Sequence, residues 1–87
     1  MAPEAQDVPE RVERILSHLL ARPISQADDG DSSLRELGLS SLRMIQLLGE
    51  IESAFGVRVL DAEVAAPNFR TLDALVSFLG RKLGEAP

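Results

Sequence analysis

Residues 38–56 read GLSSLRMIQLLGEIESAFG, and the reading of this stretch decides the fold. Two serines follow a glycine. Then Leu42, Met44, Ile45, Leu47, Leu48, Ile51, Ala54 and Phe55 recur at helical spacing until Gly56, a residue suited to a left-handed helix terminus. The stretch is therefore predicted to be a helix with a wide apolar arc. Ser40 suits the N-cap, because its hydroxyl can accept a hydrogen bond from a first-turn amide. Ser41 then becomes an early helical residue with an outward hydroxyl beside unpaired amides. Amide donors and the helix dipole both favour negative charge at such a place. Local physics leaves two readings open: an ordinary capping pair, or a serine that accepts a phosphate ester.

Upstream, Val8, Val12, Ile15, Leu16, Leu19 and Leu20 fall on one side of a second helical pattern, with Glu10, Arg11, Glu13 and Arg14 on the other. Asp7 and Glu10 stand in capping-box relation, and Arg22-Pro23 ends the helix near Ala21. Residues 24–33, ISQADDGDSS, form a long polar connection, and a loop of that length usually has a job. In the LRELG that follows, Leu34 and Leu37 can pin the loop to a core before Gly38 stops the turn.

Downstream, Val57–Leu60 alternates like a strand but has no second strand to pair with, so it is taken as an extended connector. Asp61 can cap a brief third helix that ends before Pro67. Thr71 caps a final helix whose inner stripe is Leu72, Leu75, Val76, Leu79 and Leu83, flanked by Phe69 and Phe78, with Arg81 and Lys82 near its negative end. Three substantial helices and a short one predict an all-α protein, a small four-helix bundle with a long loop between the first two. The expected organisation is a loose tail over 1–6, one domain over 7–83 and a second tail over 84–87.

An 87-residue chain supports one compact core, since a domain of this size hides only about 60% of its unfolded surface. Nine basic against fourteen acidic residues give a net charge of −5, the wrong sign for neutralising nucleic-acid phosphates. No apolar run approaches the ~18 residues of a membrane span, and the N-terminus lacks the basic and apolar regions of a signal peptide. The expectation is a monomeric cytoplasmic protein that binds neither nucleic acid nor membrane. The chain has no cysteine, so any sulfur chemistry must be imported.

Catalytic patterns fail on inspection. His18 is the single histidine and sits on an amphipathic helix, where it reads as surface. The serines lack the glycine that a nucleophile elbow places two residues on. An EF-hand begun at Asp29 would put Leu34 where glycine belongs and Ser40 where the bidentate glutamate belongs, so residues 28–31 read as a solvated Asp-Gly turn. No metal site and no catalytic residue are assigned.

The run Leu34-Arg35-Glu36-Leu37-Gly38-Leu39-Ser40-Ser41-Leu42, then Ile45-Gln46-Leu47 and Glu50 to Val57, resembles the acyl carrier and peptidyl carrier protein family. The likeness extends to the long loop, the FGV exit and the closing TLDALVSFL. The family motif Gly-x-Asp-Ser-Leu aligns with Gly38 to Leu42. The resemblance thus implies that Ser41 bears a 4'-phosphopantetheine arm derived from coenzyme A, placed there by a phosphopantetheinyl transferase. It further implies acyl or aminoacyl thioesters on the arm's thiol, a loading enzyme, downstream synthase enzymes, and a shuttle rather than an enzyme. One departure stands out: the motif aspartate, which in the family helps the transferase engage the carrier, is Ser40 here.

Family partners dock on the second helix, which makes Leu42, Arg43, Gln46, Glu50 and Glu52 the implied contacts, with Asp61 and Glu63 nearby. Met44 and Leu47 read as core filling. Arg43 against Glu50 and Glu52 makes a mildly acidic face, weaker than that of fatty-acid carriers. This directs the reading to a stand-alone carrier of polyketide, nonribosomal peptide or related specialised biosynthesis. The alternative is a carrier-like interaction module that no longer accepts the arm.

Overall fold

The structure, a computed structural model, describes residues 8–65 and 67–85. Asp7, and with it the expected capping box and the 1–6 tail, lies outside them. Five α-helices are present among the described residues: α1 (Val8–Leu20), α2 (Gln26–Asp29), α3 (Ser41–Phe55), α4 (Asp61–Ala65) and α5 (Leu72–Glu85), with a 3-10 turn at Pro67–Phe69. The expected first, second, third and final helices are α1, α3, α4 and α5. The last runs through Glu85, two residues into the segment taken as a tail, and 86–87 lie outside the described residues.

The bundle forms because α1, α3 and α5 each have one apolar face. Val8, Val12, Leu16 and Leu19 of α1 meet Leu47, Ile51 and Phe55 of α3 and Leu72, Leu75, Phe78 and Leu79 of α5 in a single core. Burying each such side chain contributes about 1.5–3 kcal/mol. α1 packs against both α3 and α5, and the 3-10 turn joins α4 to α5. Phe69 brings that turn onto Phe78, with ring centroids 5.7 Å apart in a tilted arrangement.

The helix ends are set locally. Ala21 is left-handed (φ 55°) and Arg22 N–H donates to Ser17 C=O at 3.2 Å, a Schellman-type stop for α1. Gly56 (φ 66°) closes α3, and Thr71 Oγ1 accepts from Ala74 N–H at 3.0 Å to open α5. At α4 the expectation needs correction. Asp61 is the first helical residue rather than the cap, and Glu63 reaches back to the Leu60 N–H at 2.9 Å, so the cap is supplied from inside the helix.

The long loop also differs from expectation. Ser25 caps the one-turn α2, so Asp28 and Asp29 are helical and the solvated Asp-Gly turn does not form. Gln26 N–H donates to Glu13 of α1 at 2.6 Å, and the Gln26 side chain donates to Asp73 of α5 at 2.8 Å. Gly30 is buried at this junction, and its carbonyl accepts from Asp73 N–H at 2.8 Å. A Cβ there would stand 2.5 Å from the Gln26 carbonyl oxygen and against the Asp73 carboxylate. Gly30→Ala is therefore expected to cost about 1–3 kcal/mol in urea unfolding, whereas Gly49→Ala, with open space around it, should not destabilise.

Candidate functional site

The approach to Ser41 is built from the loop upward. Ser33 and Glu36 form a reciprocal capping box: Ser33 N–H donates to Glu36 Oε1 and Glu36 N–H to Ser33 Oγ, each at 2.9 Å. Leu34 N–H donates to Arg70 C=O at 3.0 Å, beside an isolated bridge between Ser33 and Thr71. Leu34 and Leu37 are buried and fix the loop to the core as expected, and Leu39 is buried beside them. Gly38 turns the chain at φ 114°, a conformation that residues with a Cβ rarely adopt.

Ser40 follows as the N-cap, extended at φ −77° and ψ 173°, with its hydroxyl accepting from Arg43 N–H at 3.2 Å. Ser41 is the first residue of α3 and is exposed. Its hydroxyl has no hydrogen-bond partner among the described residues. The two serines thus divide their tasks: one hydroxyl is spent on the helix, and the other is free at the helix's positive end.

Ser41 opens on a groove of about 670 Å³ between the loop, α3 and the α4 region. Leu39, Met44, Ile45, Val64 and Phe69 supply its apolar lining, and Arg35 and Arg70 its charge. A free, exposed hydroxyl at the mouth of a groove fits covalent attachment of an extended group. A buried or hydrogen-bonded one would not.

The surface residues named from sequence separate into two sets. Leu42, Arg43, Gln46 and Glu50 are exposed on α3, and Arg43 donates to Gln46 Oε1 at 2.9 Å. Glu52 is half-buried and accepts from Val59 N–H at 2.8 Å, so it holds the chain after α3 in place rather than standing free. Asp61 is exposed, but Glu63 accepts from Leu60 N–H and, through both carboxylate oxygens, from Lys82 Nζ at 2.9 Å. Leu47 is fully buried as expected, while Met44 is half-buried and lines the groove.

Sequence reasoning missed Ile45, which is 66% exposed like Leu42. At about 100° per residue, Ile45 lies roughly 120° and Leu42 roughly 180° from Ile51 around the helix. A wheel centred on Ile51 would have marked both.

The Leu60 N–H first, and then the Lys82 ammonium, hold the Glu63 carboxyl below the ordinary glutamate range. A depressed folded-state pKa contributes stability above the unfolded value and loses it as pH falls through the folded value. Acid unfolding of Glu63→Gln is therefore expected to depend less steeply on pH than that of the parent. Equal slopes in circular-dichroism titrations would contradict this.

A family model described as "Phosphopantetheine attachment site" matches residues 10–79. The chain is 32% identical over 79 residues to an acyl carrier protein of Thermotoga maritima, covering 91% of this chain and 95% of that protein. It is 30% identical over 81 residues to an aminoacyl carrier protein 2 of Bradyrhizobium diazoefficiens, covering 92% of this chain and 91% of that one. No solved structure matches.

Proposed function

Because the chain belongs to the phosphopantetheine attachment-site family of carrier proteins, we propose that Ser41 is the serine that carries its 4'-phosphopantetheine arm. One observation carries this reading: the Ser41 hydroxyl is exposed at the start of α3 with no hydrogen-bond partner among the described residues, while the neighbouring Ser40 hydroxyl is occupied by Arg43 N–H. A phosphopantetheinyl transferase binds the Ser41 face. The Ser41 oxygen attacks the phosphorus that bears the pantetheine, its proton passes to the transferase or to solvent, and the phosphoanhydride bond of coenzyme A breaks as 3',5'-ADP leaves. The ester formed lies beside α3 amides and the helix dipole, both of which favour its negative charge. When bound, the arm supplies the thiol that this cysteine-free chain lacks, on which acyl or aminoacyl groups are held as thioesters.

The domain's contribution is tethering. It raises the effective concentration of cargo at each partner and is itself a shuttle, not a catalyst. Leu42, Arg43, Gln46 and Glu50 form the docking face. Since the Glu63 charge is offset by Lys82 and Glu52 is half-buried against Val59 N–H, fewer free carboxylates stand on that face than the sequence alone suggested, which supports specialised acyl or aminoacyl transfer.

Incubation with coenzyme A, magnesium and a promiscuous transferase should add one phosphopantetheine by intact-mass spectrometry. No addition with any transferase would instead support an interaction module. Ser40→Asp should speed modification several-fold with a melting temperature little changed, because serine and aspartate cap about equally. An unchanged rate would show that the exchange at position 40 is without cost to the transferase.

A further inference from the structure

We infer that Arg35 and Arg70 make the groove beside Ser41 selective for cargo that ends in a carboxylate; the inference rests on the reading of Ser41 as the attachment point. Both arginines line the same groove as Ser41. The Leu34 N–H to Arg70 C=O bond and the Ser33–Thr71 bridge hold their backbones side by side. Arg11, Arg22, Arg43 and Arg81 all donate to acceptors of the protein. Among the described residues Arg14, Arg35, Arg58 and Arg70 have no side-chain acceptor, and of these Arg35 and Arg70 line the groove beside Ser41. Glu36, the acid next to Arg35, turns its Oε1 to the Ser33 N–H instead.

In a chain of net charge −5, this groove is lined by two guanidinium groups and, among the described residues, no carboxylate. They match an anion. The apolar lining from Met44, Ile45, Val64 and Phe69 takes methylene groups, and the volume lies in the range of small-ligand sites. An acyl chain with a terminal carboxylate meets both requirements, since guanidinium binds carboxylate through paired, charge-assisted hydrogen bonds. The phosphate ester on Ser41 already has α3 amides beside it, and Arg35 and Arg70 issue from other segments of the groove wall. Tethering at millimolar effective concentration lets an exposed and individually weak contact hold the cargo.

Glutaryl and pentanoyl cargoes have the same chain length and differ in the terminal carboxylate. Each is loaded from its coenzyme A thioester onto the full-length protein, with the mass gain verified first. Nuclear magnetic resonance then follows the Arg35 and Arg70 Nε–Hε signals, and hydroxylamine cleavage follows thioester exposure. Both signals should shift with glutaryl cargo and not with pentanoyl cargo or the unloaded arm. Hydroxylamine should cleave the glutaryl thioester about three- to fivefold more slowly in the parent than in Arg35→Gln/Arg70→Gln, with pentanoyl cleavage equal in the two.

Signals that shift on attachment of the unloaded arm, with no further change on glutaryl loading, would assign the arginines to the phosphodiester and overturn the inference. Equal responses to both cargoes, or none, would also overturn it. Mass gain without these responses leaves the reading of Ser41 standing, whereas absence of mass gain defeats both.

Discussion

Ser41→Ala is expected to abolish phosphopantetheine attachment completely, because it removes the oxygen that forms the ester. The fold should barely change, since the hydroxyl is exposed and has no hydrogen-bond partner among the described residues. Ser40→Ala is the informative counterpart. It removes the N-cap acceptor of Arg43 N–H and should cost about 1 kcal/mol of stability, yet leave attachment intact. The two adjacent substitutions therefore split in opposite directions: one loses the modification and keeps the stability, the other does the reverse. Intact-mass spectrometry and thermal melts on the pair check both halves. Attachment that survives Ser41→Ala but not Ser40→Ala would exchange the roles assigned here.

The second large effect is structural. Leu47→Ala should destabilise by about 2–5 kcal/mol, the range for deleting most of a fully buried leucine, and lower the melting temperature by more than about 10 °C. The buried residues of α3 are Leu47, Ile51 and Phe55, and of these Leu47 is the closest to Ser41, with Met44, Leu48 and Ala54 packing on the core beside them. Loss of the Leu47 side chain removes the fully buried anchor nearest the attachment end. Leu42→Ala, at a side chain 66% exposed, should stay within about 0.5 kcal/mol while weakening the contact with partner enzymes. Comparable losses of stability for the two variants would contradict the burial pattern.

The main helices were legible because α1, α3 and α5 are long enough for an apolar period to show, and their stops carry local signals such as Gly56 and Thr71. α2 was not. Its four residues are too few for a period, and beyond the local Ser25 cap its support comes from Glu13 and Asp73, which lie far away in sequence. The same limit explains the acidic face. Glu52 looks like a free surface charge until the chain after α3 folds back and presents the Val59 amide to it, and Glu63 until α5 brings Lys82 alongside.

At the site, the division between a capping Ser40 and a free Ser41 was readable from local physics. The groove was not, because it is assembled from the loop, the start of α3 and the α4 region, and their adjacency is a property of the fold. Ile45 shows an intermediate case. Its exposure follows from helical angle, but a long apolar run conceals it.

The central claim is most directly tested on the unaltered protein by fragmenting the modified chain and locating the added mass. The account predicts that the phosphopantetheine resides on Ser41. Localisation to Ser40 or to any other residue would contradict it.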